Sequence, residues 1–226
     1  NNDLSRFPRI VYNKPYMCNM SRAQFEGYAK ALKEDLGKKT RFPNPKYFAL
    51  SRKYSNALFN RESTLTEFSC KIPQIHDNIQ RYPNEKHWIY SAFYEARGHG
   101  QGIMALRRTL KHDLEYEQLT PAMAKRMLDT KRFTNKRRFC VITTTAMDSK
   151  ADLTRLLAVY NHDLNVNGQI CQVMLASQKF NEGVDLKAVR HIHLMEPLLS
   201  DAMIQQAVGR ARSNCSHFQL DDMKDW

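Results

Sequence analysis

No stretch of this chain approaches the roughly 18 consecutive apolar residues that a membrane-spanning helix needs, so the sequence predicts no membrane partner. The opening NNDLSRFPRIVYNK has no apolar run of the signal-peptide type, and nothing argues for secretion. Cysteines are scattered at Cys18, Cys70, Cys140, Cys171 and Cys215, odd in number and never in a CxxC pair. That excludes a disulfide framework and a zinc ribbon, and reads as reduced thiols in a cytosol-like (cytoplasmic) compartment. There is no internal repeat and no low-complexity tract. An initiator Met is missing and the chain stops at Asp225-Trp226, so it reads as a piece of something longer.

Two further absences concern nucleotides. LGKKT (Leu36–Thr40) contains a GK pair, yet Leu32 stands where a phosphate-binding loop needs its first glycine, and no other segment offers G-x-x-x-x-G-K-[ST]. The chain therefore brings no triphosphate cradle of its own. GHGQG (Gly98–Gly102) is one residue short of a dinucleotide fingerprint, and no acidic residue closes a second strand to hold a ribose. A nicotinamide or flavin enzyme is the weakest of the readings considered; a loop whose N–H groups approach a phosphate and a plain turn both stay open.

What is abundant is positive charge. Lys+Arg number 35 against 23 Asp+Glu, a net charge of +12 on a chain of ordinary globular composition, 42% hydrophobic. Such an excess favours a polyanion, because each cation set on a phosphate releases condensed counterions. Solubility charge spread evenly over the surface explains the same number.

Residues 1–80 read as a connecting or bracing segment. IVYNKPYMCNM is extended, AQFEGYAKALKEDLG is a helix with Ser21 as N-cap and a Gly stop, and two prolines mark RFPNPKYFALSRKYSN as loop. From residue 81 to 226 the pattern changes. KHWIYSAF, LEYEQL, RRFCVITTT, ICQVMLAS and VRHIHLMEP are strand candidates, and helices alternate with them: IMALRRTLKH, AMAKRMLD opened by Pro121, SKADLTRLLAVYNH and DAMIQQAVGRAR. Buried strands alternating with helices predict an α/β fold, a parallel sheet covered on both faces. In such sheets ligands sit beyond the carboxyl ends of the strands. Ser91, Arg97 and the glycine loop, Thr143 to Thr145, Ser177 with NEGVDL, and Glu196-Pro197 all follow strand ends. His191 and His193 alternate on a strand without a third ligand at convincing spacing, which favours structural histidines over a metal site. The KRR that opens KRRFC precedes its strand, on the side away from the ligand edge, and reads as solvated charge.

Two segments near the end form an ordered pair: ASQKFNEGVDLKAVRHIHLMEP, then a helix bearing QQAVGRARSNCSH. The pair resembles motifs V and VI of superfamily-two helicases, and KHWIYSAF resembles their motif IV strand. The tail GRARSNCSH is similar to a narrower group, the helicases and early-transcription ATPases of large cytoplasmic DNA viruses of the poxvirus and African swine fever virus types. The resemblance covers Lys86 to the end and implies a RecA-like second lobe. A first lobe of the same polypeptide would hold ATP and most of the contacts to its Mg2+. Gly183 and Asp185 would approach the ribose, and Gln206 and Gly209 would face the cleft. Arg210 would meet the γ-phosphate. Ser91, Thr143, Thr144 and Ser177 would hold a nucleic-acid backbone, DNA first and RNA as the alternative, with Arg97 placed for a further phosphate. Viral transcription machinery is the implied wider partner.

One departure stands out. The family has a second arginine three residues after the first, where this chain has Ser213, and Arg212 comes one residue early. A continuing helix would turn Arg212 about 160° from Arg210. Either the helix loosens and Arg212 takes over as a catalytic finger, or one finger suffices, or hydrolysis is lost. The rival function is accordingly a catalytically inactive, helicase-like nucleic-acid-binding subunit.

Overall fold

The computed structural model describes residues 8, 10, 15–39, 44, 46–58, 65–94, 102–143, 149–177, 184–213, 216–218 and 220. Five strands form one sheet: β1 Lys86–Ser91, β2 Glu117–Gln118, β3 Arg138–Ile142, β4 Val173–Ser177 and β5 Val189–Leu194. They lie in the order β2-β3-β4-β1-β5, and every pairing is parallel. The helices are α1 Arg22–Leu36, α2 Ala49–Asn56, α3 Leu65–Phe68, α4 Lys71–Arg81, α5 Ile103–His112, α6 Pro121–Thr130, α7 Lys150–Tyr160 and α8 Asp201–Gly209. This is the α/β architecture, a parallel sheet with helices, expected from the alternation of apolar strands and helices.

The pleat divides the core into two layers. Trp88 and Tyr90, Cys140 and Ile142, and Met174 and Ala176 face one way, against Met127 of α6, Leu156 of α7 and Ala207 of α8. Ile89, Phe139, Val141, Val173 and Leu175 face the other way, against Ile72, Ile75 and Ile79 of α4 and Leu106 and Leu110 of α5. Each such side chain taken from water contributes about 1.5–3 kcal/mol, and β1, β3 and β4 are buried along their whole length. Helix starts follow local chemistry. Ser21, Thr120, Ser149 and Ser200 each accept from a backbone N–H of the first turn, and Pro121 occupies a first-turn position where its missing N–H costs nothing.

Three expectations are corrected. The stretch taken as loop because of its prolines contains α2, which begins only at Ala49, beyond both of them. β5 is only partly buried, because it is the outermost strand among the described residues. Within KRR, Arg138 is not solvated: its side chain is 4% exposed and bonds Glu117 at 2.7 Å.

Between β1 and β5 the histidines form a ladder. His87 Nδ1 lies 3.1 Å from His193 Nε2, the His87 and His191 rings stack at 4.5 Å, and His191 Nε2 meets Glu85 at 2.5 Å. Burial pulls His87 down to about 2 and His193 to about 3, so both stay neutral in the fold. The unfolded chain takes up their protons below about pH 6.5. Stability from this pair is therefore intact above that pH. Below it, each histidine removes about 1.4 kcal/mol per pH unit until its folded value is reached. The melting temperature should fall steeply between pH 6.5 and 5, and His193→Gln should make the fall shallower. An unchanged slope would refute this assignment.

Candidate nucleotide and nucleic-acid site at the strand ends

The carboxyl ends of the strands meet at one edge of the sheet. Ser91 and Ser177 are register partners there, and Thr143 follows β3 directly. All three are buried. Ser91, expected on a nucleic-acid backbone, instead donates to the carboxylate of Glu196 at 3.0 Å. With no exposed surface, its hydroxyl positions the strand end rather than reaching a polymer. Thr144, Arg97 and Gly183 lie outside the described residues.

Glu196 is the hub of this edge. Besides Ser91 it accepts from Asn56 Nδ2 at 2.6 Å and from the N–H of Ala92. Asn56 Oδ1 in turn accepts from Lys71 Nζ at 2.9 Å, and that amine also donates to the Met195 carbonyl at 2.6 Å and Ser55 Oγ at 3.0 Å. A relay Lys71–Asn56–Glu196 thus ties α4 and α2 to the ends of β1 and β5. Burial pushes the Glu196 carboxyl up and the Lys71 amine down, and hydrogen bonds and opposite charge work against both shifts. Buried charges of this kind persist only when bonded. Beside the relay, Arg52 stacks 5.1 Å from the centre of the Phe93 ring. Sequence reading noted Glu196 only as a strand-end residue and missed Asn56 and Lys71, whose partners are more than 120 positions away.

The two helicase-like segments run side by side. Leu186 N–H donates to the Arg210 carbonyl at 3.0 Å and Ala188 N–H to the Ser216 carbonyl at 2.7 Å. Ala188 holds φ 55°, a conformation that non-glycine residues adopt at a cost. His217 Nε2 lies 2.6 Å from the Val189 carbonyl and Nδ1 2.8 Å from Ser216 Oγ, so the Ser-His of the tail clamps this loop onto β5. α8 ends at Gly209, and the chain continues as a turn with the N–H groups of Ala211 and Arg212 both on the Val208 carbonyl.

The helix therefore does loosen where the second arginine is missing. Arg212 does not turn to the cleft, however: its Nε donates to the Pro8 carbonyl at 2.7 Å. Ser213 Oγ donates to the exposed carboxylate of Asp185. Arg210 is half-buried, and its Nε has no hydrogen-bond partner among the described residues although it is shielded from solvent. Gln206 is exposed on α8.

The glycines separate into two kinds. A Cβ on Gly102 would lie 2.0 Å from the Phe93 carbonyl oxygen, so that glycine serves the packing of α5 on the end of β1. A Cβ on Gly209 would meet nothing within 4 Å among the described residues. Neither conformation nor internal packing requires a glycine there. Among the described residues no cluster of three His, Cys, Asp or Glu side chains is arranged to hold a metal ion, and no helix is long and apolar enough to cross a membrane.

No protein-family model matches the chain. Over 92% of its length it is 26% identical to a killer plasmid pGKL-2 helicase of Kluyveromyces lactis, covering 30% of that protein. Over 83 residues, 37% of the chain, it is 32% identical to a termination factor NPH-I homologue of African swine fever virus, covering 12% of that protein. The chain spans less than a third of the length of the curated relatives it matches. The C-terminal part of the Fun30 ATPase domain superposes with a TM-score of 0.49 at 13% identity, over 91% of this chain and 81% of that one. The all-parallel sheet, the paired segments at its carboxyl edge and the similarity to these helicases support a likeness to the C-terminal lobe of superfamily-two helicases.

Proposed function

We propose that this lobe completes a nucleic-acid-dependent ATPase that uses ATP hydrolysis to move on or remodel DNA in viral transcription or genome handling. The observation that carries the reading is Arg210, a half-buried guanidinium whose Nε is shielded from water and has no partner among the described residues, beside a glycine with open space in front of it. A buried donor left without an acceptor costs about 1–3 kcal/mol, and such groups mark places where a ligand supplies the bond. A triphosphate does so. Its γ-phosphoryl oxygens gather charge in the transition state, and a permanently charged planar fork matches them.

In this reading a preceding lobe holds ATP and its Mg2+, which neutralises charge on the phosphates. This chain's residues complete the cleft from the other side. Arg210 is the finger, Gly209 allows close approach, Gln206 faces the opposite lobe, and Asp185 with Gly183 lies toward the ribose. Thr144 and Arg97 would hold the nucleic-acid backbone, while the buried Ser91, Thr143 and Ser177 support the strand ends beneath it, Ser91 through Glu196. The second reading, a catalytically inactive nucleic-acid-binding subunit, draws on one observation. Ser213 replaces the family's second arginine and is hydrogen-bonded to Asp185.

ATP turnover by the full-length protein, with and without nucleic acid, decides between them. Stimulated turnover is expected; binding without turnover would establish the second reading. Gly209→Ala gives a finer test. It should leave the melting temperature unchanged or slightly higher, since the site is roomy and alanine is about 1 kcal/mol the better helix former. Turnover should fall, because the added methyl fills the approach to the cleft. Full activity in this variant would show that the open face has no use.

A further inference from the structure

At the other end of the strands lies a charged surface that the nucleotide reading does not use. α6 and the loop into β3 carry Lys125, Arg126, Lys131, Arg132 and Arg137, all exposed. None of the five has an ion-pair partner among the described residues. Of the nearby carboxylates, Glu117 is taken up by Lys136 at 3.2 Å and the buried Arg138 at 2.7 Å, and Asp129, exposed on α6, offsets one of the five charges at most. Two of the five, Arg126 and Arg132, line a shallow open cavity of about 540 Å³ together with Thr130, Thr134, Asn135 and Lys136.

This loop is held in place. Phe133 packs on the core and lies 4.2 Å from the His162 ring. Arg138 bonds both the Thr134 carbonyl and its hydroxyl at 2.8 Å, and Lys136 N–H donates to the Gln169 carbonyl at 3.1 Å. Solubility charge needs no such anchoring. The anchored backbone keeps the cations close together, and a partner that brings negative charge relieves their mutual repulsion. Because the array is already ordered, little conformational freedom is lost when that partner binds.

We infer that this platform is a second nucleic-acid site, gripping the phosphate backbone of a duplex without reading its sequence. Cations interleaved with hydroxyl and amide groups are the set that holds phosphate oxygens. The aromatic residue of the loop packs inward on the core, which leaves no aromatic wedge for a membrane; Met123 and Met127 line the cavity beside the cations, so binding of an acidic peptide is the outcome that the polyglutamate arm of the test reads. The platform sits at the amino ends of the strands and the Arg210 cleft at their carboxyl ends, so the two surfaces engage different stretches of polymer. The choice of nucleic acid as the polyanion rests on the proposed function; the site itself does not.

The test uses the full-length protein without ATP. Lys125, Arg126, Lys131, Arg132 and Arg137 are replaced together by alanine, leaving the structural Lys136 and Arg138 in place. Binding to labelled duplex DNA, to the matched single strand and to polyglutamate is then followed by fluorescence anisotropy over a range of salt. Each lost phosphate contact removes about 0.9 from the slope of log affinity against log salt. The slope for duplex should become shallower by about 2–4, with affinity down at least tenfold. Basal ATP turnover and melting temperature should not change. If the fivefold variant does not fold, Arg132→Glu and Arg137→Glu singly should each lower the slope by about 1. Unaltered duplex binding and slope overturn the proposal, as does a loss confined to single strands or to polyglutamate. Absence of ATP turnover in the unaltered protein would count against the proposed function alone.

Discussion

Arg210→Ala in the full-length protein is expected to lower nucleic-acid-stimulated ATP turnover by about 10³-fold or more, the range for removing an arginine finger. Stability should not follow. The Nε of Arg210 makes no hydrogen bond among the described residues, so deleting it removes an unsatisfied donor rather than a contact. An unchanged melting temperature beside lost turnover is therefore the diagnostic combination. Arg210→Lys should recover only part of the activity, because a point charge cannot span two phosphate oxygens as a planar fork does. Arg212→Ala should cost less than tenfold, since that side chain is engaged by the Pro8 carbonyl. If Arg212→Ala abolished turnover while Arg210→Ala left it intact, the finger would belong to the wrong arginine and the assignment would be withdrawn.

The second large effect is on stability. Lys71→Met strips the donor from Asn56, Ser55 and the Met195 carbonyl at once, and leaves the buried Glu196 carboxylate short of compensating charge. Breaking a buried ionic arrangement from one side costs about 3–5 kcal/mol, against a total of about 5–15 kcal/mol for a typical domain. At about 2–4 °C per kcal/mol for a chain of this size, the melting temperature should fall by about 10 °C. Adding Glu196→Gln should restore more than half of the loss, because the stranded charge is then gone and the two changes are not additive. A drop of less than 2 °C in the single variant would show that the relay contributes little.

How much of this was legible beforehand depended on the range of the interactions. Ser21, Pro121 and the apolar runs in KHWIYS and RFCVI act on their own neighbourhoods, and the helix starts and strands they predict are present. α4 had a legible pattern too: Ile72, Ile75 and Ile79 fall on one helical face and are buried, and Pro73 sits in the first turn where it does no harm. The prolines and irregular segments on either side of α4 mask that pattern in the sequence. Other features had no local trace. Nothing near Lys86–Ser91 says that β1 lies between β4 and β5, or that Ser91 serves a carboxylate 105 positions later. The direction of Arg212 is of the same kind, set by a carbonyl 204 positions earlier.

The central place of β1 has a cost that is met before the protein ever works. His87 pairs with Val173 on one side and His191 on the other, so both flanking strands are translated long after it. At about 5–20 residues per second, the Trp88-Ile89-Tyr90 segment waits for seconds outside the ribosome with neither edge satisfied. Pairings between such distant segments form slowly, and a bare apolar strand readily joins its copies on neighbouring nascent chains. Yield on expression should therefore depend on chaperone supply and on cooling the culture, more than on the stability of the finished lobe.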